Sequence, residues 1–149
     1  MALEVSVRNV QKITSGTWEV ILMLKIGSVN DATSSDPNGD KKFLQQLPPH
    51  LRRLGEHFLI DVRKQFKGEL QFRPKSRRYV ESPDNFWTVK PQPRDKSLRI
   101  TVRGTPSYFP KSRSIPLVLD MNGYSSFKVN SLKQIDEAIS TLMQAKKKL

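Results

Sequence analysis

The chain predicts an α+β fold: an antiparallel sheet packed against two helices, with an N-terminal β-hairpin. Three observations carry that expectation. Residues 48–68 and 130–148 repeat apolar side chains at three- and four-residue spacing, the period of an amphipathic helix. Five short segments between them are rich in β-branched and aromatic residues and are separated by turn-forming pairs. At the front, two alternating runs flank a turn. With 149 residues there is length for one domain with a real core, and 1–149 reads as a single α+β domain.

Residues 4–26 read as the hairpin. Val5 and Val7 alternate with polar neighbours, and Thr14-Ser15-Gly16 supplies the turn. Trp18, Val20, Leu22, Leu24 and Ile26 then share one face, with Ile21 and Met23 on the other. A helix over 17–25 closed by Gly27 is the competing reading, and strict alternation favours the strand. Residues 27–41 are polar and rich in Ser, Asn, Asp, Gly and Pro, which predicts a flexible exposed loop, with a short helical piece starting at Asp40.

Pro48-Pro49 opens the main helix, because a first turn tolerates proline. Leu51, Leu54, Phe58, Val62 and Phe66 form its buried stripe, Arg52, Arg53, Glu56, Arg63 and Lys64 lie off it, and Gly68 is the stop. The expected strands are 69–72, 86–90, 98–102, 116–120 and 126–129. Asn122-Gly123, between Met121 and Tyr124, is a strong hairpin signal. Asn130 or Ser131 caps the final helix, whose stripe is Leu132, Ile135, Ile139 and Leu142, with Lys146 to Lys148 at its negative end.

Charge is distributed unevenly along this plan. The formal charge is +12, from 26 Lys and Arg against 14 Asp and Glu. Residues 63–113 alone hold 14 basic and four acidic residues, or +10. Such concentration produces a directed field that attracts polyanions. Two segments interleave these cations with aromatics: Arg73-Pro-Lys-Ser-Arg-Arg-Tyr79 and Tyr108-Phe-Pro-Lys-Ser-Arg113. Both contain Pro-Lys-Ser-Arg, and clustered cations with hydroxyls and backbone amides suit phosphate oxygens. The expected contact residues are Arg73, Lys75, Arg77, Arg78, Lys111 and Arg113. Lys90, Arg94 and Arg103 extend the groove, and Tyr79, Tyr108 or Phe109 offers a stacking platform. The competing account makes these solvated loops whose aromatics anchor them to the core. Of Phe86 and Trp87, adjacent on a strand, one is expected in the core; packing of both there is favoured if the sheet is covered on both sides.

Catalytic chemistry finds little support. Without cysteine there is no disulfide, thiolate zinc site or cysteine nucleophile. His57 and Asp61 have helical ligand spacing but no convincing third partner, and His50 and His57 read as surface residues. Asp40-Lys-Lys42 formally matches a metal-nuclease pattern but sits in the expected loop. No Gly-rich phosphate loop or nucleophile elbow occurs, and no cofactor or metal is expected. No apolar run is long enough for a membrane span, and the opening MALEV lacks the zones of a signal peptide, so a cytoplasmic or nuclear location is expected.

From Leu47 onward the chain resembles a small bacterial α+β domain often fused to, or found beside, predicted nucleases and restriction-type proteins. The resemblance lies in the helix followed by Lys75-Ser76 and Tyr79, then Asn85-Phe86-Trp87 opening a strand. It continues through Ser97-Leu98-Arg99-Ile100 and ends with Ser131-Leu132-Lys133-Gln134-Ile135-Asp136 at the last helix. It implies an accessory nucleic-acid-associated module and transfers no catalytic residues. The leading expectation is a non-catalytic nucleic-acid-binding module, for DNA or RNA. The alternatives are a protein-interaction domain docking an acidic partner and a small metal-dependent nuclease.

Overall fold

The computed structural model describes residues 38–111 and 113–147. The expected hairpin at 4–26 and the first part of the expected loop lie outside them. Within the described residues the fold is α+β: six antiparallel strands and three α-helices. The strands are β1 (Glu69–Arg73), β2 (Arg78–Ser82), β3 (Trp87–Gln92), β4 (Ser97–Arg103), β5 (Val118–Leu119) and β6 (Tyr124–Val129). Their order across the sheet is β1-β2-β3-β4-β6-β5. The first four form a meander, and β6 then inserts between β4 and the short edge strand β5.

The helices are α1 (Gly39–Gln46), α2 (Pro49–Gln65) and α3 (Ile135–Lys146). Helix α1 is the short helical piece expected from Asp40, begun one residue earlier; it corrects the expected count of two helices and takes residues 39–41 out of the loop. Asn38 caps it by accepting a hydrogen bond from the Lys41 N–H at 3.1 Å. Helix α2 starts at Pro49 as the proline rule requires and buries the expected stripe, Leu51, Leu54, Phe58 and Val62. The last helix is entered differently. A 3-10 turn, Leu132–Gln134, precedes α3, and neither Asn130 nor Ser131 makes a side-chain cap. Instead the Asn130 N–H donates to Gln134 Oε1 at 2.7 Å, and Leu132 is exposed rather than part of the stripe.

Strand alternation divides the sheet into two faces. Leu70 and Phe72, Tyr79 and Glu81, Trp87 and Val89, Leu98, Ile100 and Val102, and Phe127 and Val129 point toward the helices. The core is built there from edge-to-face ring pairs, Phe58 with Trp87 and Phe66 with Phe86, their centroids 5.8 and 5.2 Å apart. Phe86 and Trp87 are therefore both core residues. This is possible because Phe86 precedes β3 and is freed from its alternation.

Strand β2 was not expected from sequence. Its inward residues are Tyr79 and Glu81, and a buried glutamate breaks the apolar alternation that marks a strand. Glu81 is tolerated because Arg63 donates to both of its carboxylate oxygens at 3.1 Å and also to both oxygens of Asp40. Asp40 in turn accepts the Leu70 N–H at 2.9 Å, which satisfies a backbone donor on the edge strand β1. Arg63 thus leaves the solvated face expected for it and ties α1, α2, β1 and β2 together. Burial pulls its pKa down, but the hydrogen bonds to Asp40 and Glu81 outweigh that and raise it.

Candidate functional site

The opposite face of the sheet is where the polar alternates collect, and no helix packs on it among the described residues. Its residues follow from register alone. Arg73 pairs with Arg78, Lys90 with Arg99, and Arg99 with Lys128. Arg78 lies one position before Tyr79, which pairs with Val89, so it stands opposite Lys90. One cation from each of β1, β2, β3, β4 and β6 therefore forms a single row across the sheet. At the usual spacing of neighbouring strands the row is about 19 Å long.

The next row, two residues along each strand, is uncharged: Gln71, Val80, Thr88, Thr101 and Ser126. Beyond it Arg103 pairs with Tyr124, and Arg103 Nη2 donates to the Asn85 carbonyl at 3.3 Å. Part of the cation row is neutralised. Asp120 accepts from Arg99 Nη2 at 2.9 Å and from Thr101 Oγ1 at 3.0 Å, and Lys128 pairs with Asp95. Arg73, Arg78 and Lys90 make no ion pair among the described residues.

Both hairpin turns at the same end of the sheet add further charge. Residues 74–77 join β1 to β2 and carry Lys75 and Arg77; residues 93–96 join β3 to β4 and carry Arg94 and Lys96. All four are exposed, and none is in an ion pair among the described residues. Arg77 and Lys96 each hold φ at +52°, a left-handed conformation that glycine or asparagine adopts more readily. In the first turn the Arg77 N–H donates to the Arg73 carbonyl at 2.8 Å, which closes the loop around that conformation. Bulky cations at two strained turn positions are the kind of local cost that accompanies a function.

Two depressions open on this face. One, of about 380 Å³, is lined by Arg78, Val80, Thr88, Thr101, Met121 and Tyr124 among others. The second, about 90 Å³, is lined by Arg78, Lys90, Arg99 and Asp120 with neighbouring polar residues. Arg78 borders both, and its Nε is buried with no hydrogen-bond partner among the described residues.

The expected contact residues divide into two groups. Arg73, Lys75, Arg77, Arg78, Lys90 and Arg94 gather at one end of the open face, and Arg103 lies toward the other. Tyr79 does not belong there: it is buried on the helix side, hydrogen-bonded through its hydroxyl to Gln46 and packed against Phe43. Burial raises its pKa. The second Pro-Lys-Ser-Arg segment also separates from the first. The segment after β4 is tied to α3: Tyr108 donates its hydroxyl to the Gln144 carbonyl at 3.1 Å, and Phe109 beside it is buried. Arg113 is spent holding that loop: Nη2 donates to Thr141 Oγ1 at 2.9 Å, Nε to the Ile115 carbonyl at 3.0 Å, and Glu137 lies 3.5 Å away. Tyr108 and Arg113 are anchors, and Lys111, exposed in the same loop, is not on the open face.

Arg99 and Lys128 were missed as contact candidates. Each is a lone cation between two apolar residues, Leu98 and Ile100 or Phe127 and Val129, a pattern that places it outward on a strand. Asp40, matched formally to a nuclease pattern, is instead committed to Arg63 and the Leu70 N–H. Among the described residues no group of three or more His, Asp or Glu is placed to hold a metal ion, and no helix is long and apolar enough to cross a membrane. Comparison with protein-family models, curated proteins and solved structures finds no match.

Proposed function

We propose that this protein binds nucleic acid through the open face of its sheet, contacting the phosphate backbone without acting on it chemically. The observation that carries this reading is the row from Arg73 to Lys128, continued by the exposed cations of the two adjacent turns. Seven of these groups, Arg73, Lys75, Arg77, Arg78, Lys90, Arg94 and Lys96, have no carboxylate partner among the described residues. A string of unpaired cations along one edge of a polar surface matches the repeating charge of a phosphodiester chain. The half-buried Thr88 hydroxyl in the next row supplies an uncharged donor, which positions a backbone without reading its sequence.

Counterion release then dominates affinity. Neutralising six phosphates gives a slope of log affinity against log salt of about −5 on duplex DNA, or about −4 on a single strand. Fluorescence anisotropy with labelled oligonucleotides across a salt series measures it. A slope near zero, or no binding at low salt, contradicts the reading.

A protein partner is favoured by a different observation. Val118 and Leu119 of the edge strand β5 are 56% and 63% exposed, and β5 covers only Ser125 and Ser126 of β6. An acidic segment pairing along that edge would neighbour Arg99 and Lys128. An oligonucleotide that fails to displace such a partner assigns the two ligands to separate surfaces.

A further inference from the structure

We infer that the ligand is single-stranded and that the larger depression on the open face receives one of its unpaired bases. This rests on the nucleic-acid reading above and narrows it to a substrate class. The depression, about 380 Å³, falls within the size range of small-ligand sites and lies next to the cation row. Its floor is Val80 with Thr88 and Thr101, two residues along their strands from Arg78, Lys90 and Arg99. That offset is about 6.7 Å in extended chain, so a backbone held on the row has the depression directly beside it.

The walls suit a flat heterocycle. Tyr124 is half-buried at the rim, and its hydroxyl makes no hydrogen bond among the described residues. Met121, on the same β5–β6 turn, is 48% exposed and presents a polarisable thioether beside it. A tyrosine ring at the mouth of an apolar depression offers a stacking surface to any base, because every base has a π-face. Arg78 supplies the second requirement. Its Nε is buried without an acceptor, and leaving such a donor unsatisfied is costly. A turn of the Arg78 side chain that bares this donor brings it within reach of a ring nitrogen or carbonyl oxygen of a base, acceptors that a purely apolar occupant does not offer.

Duplex DNA does not meet these conditions. Its bases are stacked and paired inward, so none enters a depression on the sheet without being flipped out of the helix at a cost of a few kcal/mol. A single strand can turn a base into the sheet while its phosphates remain on the row.

The test compares three ligands of equal length on the intact chain: a mixed-sequence single strand, the same strand with abasic sites, and a duplex. The expected order places the base-bearing strand about 5- to 100-fold tighter than the abasic one, the range of a base–aromatic stack. Tyr124→Ala removes that preference and leaves abasic affinity unchanged. Tyr124→Leu, which keeps bulk at the rim, serves if the alanine variant loses its folded thermal transition. Equal affinity for base-bearing and abasic strands, or equal or tighter binding of the duplex, overturns the single-strand assignment while leaving the backbone reading intact. Failure of all three ligands to bind at low salt overturns both.

Discussion

Arg77 keeps a left-handed backbone at φ +52° in the turn between β1 and β2, where a side chain costs free energy that glycine does not. Arg77→Gly separates the charge from the turn. Stability is expected to be equal or higher by up to about 1 kcal/mol, while the salt slope on a single strand becomes shallower by about 0.7. Denaturant unfolding and anisotropy on the same sample check the pair; lower stability with unchanged binding would make Arg77 a structural residue. Glu81 gives a residue-level prediction of another kind. Two carboxylates share one guanidinium there, and burial raises the Glu81 pKa above its ordinary 4.5, with Arg63 offsetting only part of the shift and the Asp40 charge adding to it. The folded state holds that proton where the unfolded chain has released it. From 4.5 upward to the raised value, this site's contribution to stability falls as pH rises. Glu81→Gln stays neutral and keeps the Asp40–Arg63 pair, so its stability should gain on the parent across that window. Parallel stability–pH curves contradict the shift.

At the scale of elements, α1 meets β1 more closely than a side chain allows. A Cβ at Gly39 would stand 1.5 Å from the Leu70 carbonyl oxygen, which is backbone and cannot turn aside. Gly39→Ala should therefore cost about 1–3 kcal/mol or more by pushing α1 off the edge strand, read as a lowered unfolding midpoint. A midpoint equal to the parent's would mean that α1 docks with slack. The sequence made α2 legible because its stripe is regular from Leu51 to Val62 and proline marks its start. It made β3, β4 and β6 legible because apolar and polar residues alternate there. Strand β2 was hidden because its inward pair is Tyr79 and Glu81, and the ion group that makes a glutamate admissible comes from Asp40 and Arg63, distant in the chain. Helix α1 was only half legible: Asn38 and Asp40 look like loop composition until their capping and ion-pair partners are known.

For the molecule as a whole, the concentration of charge in residues 63–113 was plain in the sequence, but closeness along the chain did not fix closeness in space. Alternation sends Arg78 outward and Tyr79 inward although they are neighbours. The two Pro-Lys-Ser-Arg segments look equivalent, yet one closes a hairpin on the open face and the other is pinned to α3 through Arg113. Lys128, outside the charge-rich segment, joins the row because β6 inserts beside β4. The measurement that tests the central claim most directly is the salt dependence of oligonucleotide affinity for two charge-reversed variants. Arg73→Glu/Arg78→Glu/Lys90→Glu removes three cations from the row; Arg53→Glu/Lys111→Glu changes exposed cations on α2 and on the loop tied to α3. The row variant is expected to bind far more weakly, with a single-strand slope shallower by about 2, and the second variant to retain nearly the parent slope. Equal losses in the two variants, each folded, would contradict a binding surface confined to the open face of the sheet.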